Sequence, residues 1–70
     1  MKLDRTTKHL VSEGDYLRSG ATLYRVRTIL RYKSGGLAFT ITDTKDERTI
    51  YGYPSSELYG AEIIKETEEI

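Results

Sequence analysis

A glycine pair, Gly35–Gly36, follows Ser34 between two runs rich in β-branched and aromatic residues, Leu23–Tyr32 and Leu37–Thr42. No other feature constrains the fold as strongly. Glycine reaches positive φ without steric cost, as a tight turn between right-twisted strands requires, so the pair predicts a hairpin. Beyond it, Leu37, Phe39 and Ile41 alternate with Ala38, Thr40 and Thr42, the period of two of a half-buried strand. In the preceding run Tyr24, Val26, Thr28, Leu30 and Tyr32 share one parity and predict an inward face. Arg25, Arg27, Arg31 and Lys33 share the other, interrupted only by Leu23 and Ile29. A helix competes here, with Thr22 as cap, Gly35 as stop and Leu23, Val26 and Leu30 at helical spacing. Against it, β-branched and aromatic side chains lose rotamer freedom in a helix, and Tyr24 and Tyr32 would fall on its polar side. The strand is favoured.

Turn signals recur along the rest of the chain, at Gly14–Asp15, Ser19–Gly20, Asp43 to Glu47 and Pro54–Ser55–Ser56. Short β-prone runs between such signals predict an all-β meander or small barrel. The expected strands are Asp15–Arg18, Leu23–Tyr32, Leu37–Thr42, Thr49–Tyr53 and Ala61–Lys65, with Gly52 marking a bulge. Pro54 to Leu58 reads as a single helical turn in which Ser55 or Ser56 caps free amides. Leucines also recur every seven residues, at Leu3, Leu10 and Leu17 and at Leu23, Leu30 and Leu37. Gly14, Gly20, Gly35 and Gly36 break the sustained helix that a heptad needs, so this spacing is coincidence.

Seventy residues make one small domain, with a net stability of only about 3–5 kcal/mol expected at this size. There is no cysteine and a single histidine, His9, so neither a disulfide nor a structural zinc site is expected. No apolar run suits a signal peptide or a membrane span, and the expectation is a cytoplasmic protein with no membrane partner. Eleven basic residues balance eleven acidic ones, but unevenly. Arg18 to Arg48 carries a net +4 and Glu57 to Ile70 a net −4, a bipolar chain that weakens any nucleic-acid argument from charge alone.

The order Gly14–Asp15, short strand, Ser19–Gly20, long strand with Tyr24–Arg25–Val26, Gly35–Gly36 turn, strand, polar turn, strand and Ser55–Leu58 turn before Ile63 resembles an SH3-like β-barrel. The resemblance covers roughly residues 13–65 and lies at the level of the superfold that KOW-type and Tudor-like domains share. It implies about five antiparallel strands with one short helical turn, preceded by a flexible or loosely packed segment 1–12 and followed by an acidic tail 66–70. Tudor-like relatives carry an aromatic cage and KOW-type ones a longer basic loop for RNA or polymerase. The tyrosines here show no cage spacing and the chain has no such loop, so the resemblance implies architecture more than activity.

Catalysis has little to build on. The glycine pair suits a turn better than a phosphate cradle. The carboxylates Asp43, Asp46 and Glu47, and Glu66, Glu68 and Glu69, lie in a turn and a tail rather than in a desolvating cleft. No enzyme, cofactor or metal is expected. Six tyrosines and one phenylalanine exceed what so small a core buries, and Tyr and Arg are favoured interface anchors. Arg48, Tyr51, Tyr53 and Tyr59 are therefore the candidate protein-binding residues, for another protein or a second copy of the chain as a dimer. Such a module suits an adaptor or inhibitor-type accessory protein, phage or plasmid encoded. The alternative is RNA or single-stranded DNA on the strand face of Arg25, Arg27, Arg31, Tyr32 and Lys33, cations following phosphates and an aromatic ring taking bases.

Overall fold

A computed structural model describes residues 1–68. Five strands follow the expected meander: β1 (Tyr16–Ser19), β2 (Thr22–Arg31), β3 (Leu37–Asp43), β4 (Thr49–Pro54) and β5 (Glu62–Ile64). They form one antiparallel sheet in the order β4-β3-β2-β1-β5, compatible with a small barrel. The long run is thus a strand and not a helix. Three short 3₁₀ turns, Lys8–Leu10, Ser55–Leu58 and Glu66–Glu68, complete the elements. The rest of the acidic tail, residues 69–70, lies outside the described residues.

The glycine turn closes as expected, with the Tyr32 amide donating to Gly36 O and the Gly35 amide to Tyr32 O, both at 2.9 Å. Only Gly35 takes a positive φ (94°); Gly36 does not. In the next turn the Lys45 amide donates to Asp43 Oδ1 and the Arg48 amide to Asp46 Oδ1, the local acceptors that make aspartate a reversal residue. The Ser55–Leu58 turn is capped differently from expectation. Its N-cap position falls on Pro54, and no side chain caps its amides.

Phe39, Leu3, Leu17, Ile41 and Val26 are the largest fully buried side chains, joined in the core by Leu37, Leu58 and Ile63. Cross-strand neighbours share a face, so the pairs Val26↔Ile41 and Leu17↔Ile63 set the inner layer. Residues 1–12, expected to pack loosely, instead contribute Leu3 and Val11 to this core. Leu3 is held from both sides, its amide donating to Ala61 O and its carbonyl accepting from the Gly60 amide, each at 2.7 Å. Ile63 donates to Met1 O, and Lys2 forms an isolated bridge to Glu62. The first residues therefore cover the outer edge of β5.

Two bulges reset the faces of the sheet. One lies in β4, where Phe39↔Tyr53 is followed by Ile41↔Ile50, leaving Tyr51 and Gly52 opposite Thr40. Gly52 adopts φ 63° there, so the expected bulge is present. The other was not foreseen: Val26↔Ile41 is followed by Thr28↔Thr40, with Arg27 extra on β2. A one-residue slip moves every later side chain to the opposite face. Tyr24 and Val26 point inward as expected, but beyond the bulge it is Ile29 that packs on the core. Leu30 and Tyr32, expected inside, are 48% and 54% exposed.

Candidate binding surfaces

The bulge at Arg27 also divides the basic row. Arg25 and Arg27 lie with the first half of β2. Arg31 stands opposite Leu37 at the strand's far end, and Lys33 is in the hairpin turn. The candidate residues Arg25, Arg27, Arg31, Tyr32 and Lys33 are consequently not one continuous face.

Tyr32 instead joins a different surface. Leu30, Ala38 and Pro54 form a row across β2, β3 and β4 on the outer side of the sheet. Ala38 and Pro54 also line a groove of about 260 Å³, together with Gly36, Gly52, Tyr32, Tyr59 and Lys8. Local geometry explains the opening: Gly36 and Gly52 carry no side chains, and Pro54 turns the chain into the 3₁₀ turn that presents Tyr59. Of the expected protein-binding set only Tyr59 lines this groove. Tyr51 is 79% exposed in the adjoining bulge. Tyr53 faces inward opposite Phe39 and packs against the core, and Arg48 is exposed in the turn before β4. The contribution of Tyr32 was missed because an unbroken alternation would have turned it inside.

A second concave surface has a mixed polar and apolar lining. In-register pairs run Ile64–Tyr16–Arg25–Thr42–Thr49 across all five strands. Arg25 is fixed there: its guanidinium carbon lies 5.3 Å from the Tyr16 ring centroid, Nη1 donates to Tyr16 Oη at 3.3 Å, and Nη2 pairs with Glu66 at 3.2 Å. The Thr42 and Thr49 hydroxyls are 3.0 Å apart. Arg27, Thr44 and Glu47 complete a hollow of about 390 Å³. Tyr16 and Thr44 also line a second one of about 410 Å³ with Arg18, Leu23 and Ile64.

A buried carboxylate ties the start of β1 to the segment after β5. Asp15 Oδ2 accepts from Lys65 Nζ at 2.6 Å and the Ser12 amide at 2.8 Å, and Oδ1 from the Glu66 amide at 3.0 Å. Burial alone would push its pKa up. The hydrogen bonds from Lys65, Ser12 and Glu66 and the Lys65 charge outweigh that and hold it below the ordinary carboxylate value. Glu62 is likewise held low by the Met1 ammonium, which sits 2.7 Å from its Oε2. Among the described residues no group of three His, Cys, Asp or Glu side chains is placed to hold a metal ion. No helix among them is long and apolar enough to cross a membrane. His9 is exposed in the Lys8–Leu10 turn.

No family model, curated protein or solved structure matches this chain.

Proposed function

We propose that this chain is a non-enzymatic binding module, an SH3-like barrel whose partner is another protein docked in the groove between Tyr32 and Tyr59. The SH3-like reading is supported by the strand order, in which a four-strand meander is followed by a turn of 3₁₀ helix and a last strand that returns beside β1. The observation that carries the binding reading is the exposure of two tyrosines, 54% and 39%, that both line a mainly apolar groove continuous with Leu30 and Pro54. Exposed apolar patches rimmed by polar groups mark interaction sites. A tyrosine buried at the centre of an interface contributes about 2 kcal/mol or more. Lys8 among the lining residues favours a partner segment with a nearby acid.

The test is capture from nuclease-treated lysate of the source cells, comparing the wild-type chain with a Tyr32→Ala/Tyr59→Ala double variant. A protein retained by the first and lost by the second supports the reading. Equal capture by both, or none by either together with a monomeric sedimentation profile, refutes it.

A further inference from the structure

The two hollows beside Arg25 share Tyr16 and Thr44, so they are halves of one concave surface on the outer side of β1 and β2, distinct from the Tyr32–Tyr59 groove. Three arginines line it together with Tyr16: Arg25, whose guanidinium carbon lies 5.3 Å from the ring centroid, Arg27 in one hollow and Arg18 in the other. Arg18 and Arg27 form no salt bridge among the described residues. The carboxylates nearby are largely engaged: Glu62 pairs with the Met1 ammonium and also feels the charge of Arg18 across the strand pair, and Glu66 pairs with Arg25, leaving Glu47 among the lining residues. One half is hydroxylic, with Thr42 and Thr49; the other is apolar, with Leu23 and Ile64.

We propose that this surface binds single-stranded nucleic acid, with an unpaired base stacked on Tyr16 over Leu23 and Ile64 and the flanking phosphates on Arg18 and Arg27. An aromatic ring set among cations is the chemistry that single strands select, because the ring takes any base while guanidinium groups track the backbone. Arg25 has a separate role. Stacked on the ring and hydrogen-bonded to its hydroxyl, it fixes the plane of Tyr16. Glu66 occupies its outer side and competes with an incoming phosphate. The Thr42–Thr49 pair adds a donor, since whichever hydroxyl accepts within the pair keeps its own hydrogen free. The basic row read from β2 thus narrows to its first half, joined by Tyr16 and Arg18 from the neighbouring strand.

The experiment is a fluorescence anisotropy titration of the full chain with labelled oligo-U RNA, oligo-dT DNA and a duplex of equal length, at about 50 and 200 mM salt. The expected result is binding to either single strand that weakens steeply with salt. Arg27→Gln should weaken it and lower the salt slope by about 0.7, the loss of one phosphate contact. Tyr16→Leu should weaken it about tenfold or more with the slope unchanged, whereas Tyr16→Phe keeps the ring and most of the affinity. Glu66→Gln should tighten it. Arg31→Gln, at the other end of β2, and the Tyr32→Ala/Tyr59→Ala variant should leave it unchanged. Absence of binding at about 50 mM salt overturns the proposal. So does a preference for duplex, or equal losses in Arg31→Gln and Arg27→Gln, the latter exposed and expected to fold normally.

Discussion

Replacing Asp15 with asparagine isolates the charge of a buried carboxylate that joins the start of β1 to the segment after β5. The aspartate accepts three hydrogen bonds and is only 3% exposed. Two come from backbone amides and one from the Lys65 ammonium; all three end on an ionised acceptor and are charge-assisted, in the range of about 1.5–3 kcal/mol before the exposure of the site is discounted. The Lys65 side chain is 34% exposed and its ammonium also donates to Leu10 O at 2.7 Å, which places its share at the low end of that range. Asparagine keeps one acceptor oxygen but turns an N–H toward at least one of these donors. The expected loss is about 2–3 kcal/mol, a large part of the 3–5 kcal/mol available to a domain of this size. At this chain length that lowers Tm by roughly 10–20 °C.

Urea unfolding at neutral pH measures the loss directly, with the m-value unchanged if the native state is otherwise intact. A pH series adds a second readout. The folded pKa of Asp15 lies below its unfolded value near 3.8, so the stabilisation is fully present above that value and disappears as pH falls through the folded pKa. The wild-type midpoint should therefore fall more steeply than that of Asp15→Asn between about pH 5 and pH 2. A loss under about 0.5 kcal/mol, the range of ordinary surface substitutions, or identical acid limbs in both proteins, would refute the reasoning.

Two further outcomes concern β4. Gly52→Ala should cost about 1–2 kcal/mol from backbone strain alone, because φ is 63° and an added Cβ meets nothing within 4 Å; thermal melting checks this. Tyr51→Ala should change stability by less than about 0.5 kcal/mol. Tyr53→Ala, which removes a ring packed on the core, should cost about 2–4 kcal/mol in the same assay.

The strands and their order were readable because their signals are local. Gly35 sits where a positive φ is needed, Leu37, Phe39 and Ile41 alternate unbroken, and Gly52 marks its own bulge. The bulge at Arg27 has no such mark: neither glycine nor proline is near it, and the alternation of β2 continues past it in the sequence. It follows from tertiary fit, since β2 must face Ile41 with Val26 and Phe39 with Ile29. That single inserted residue exposed Leu30 and Tyr32 and split the basic row, so the candidate site was less legible than the fold. Leu3 and Val11 escaped for a related reason. Leu3 stands between Lys2 and Asp4, Val11 belongs to a lone Leu10–Val11 pair with no period to extend it, and the partners Ala61 and Gly60, far along the chain, give Leu3 its place.

The seam between the first residues and β5 has a kinetic consequence. The β2–β3 and β3–β4 pairs close across short turns, whereas Met1 and Glu62 meet across 61 positions. Closure entropy rises only slowly with loop length, about 0.6 kcal/mol per doubling, but nothing repays it until the late strand arrives. During synthesis β1 to β4 can pair while Leu3 and Leu17 still lack Ala61 and Ile63 beside them. β5 leaves the ribosome after β1 to β4 and completes the hydrophobic interior, so folding of this sheet should become cooperative only once β5 is out.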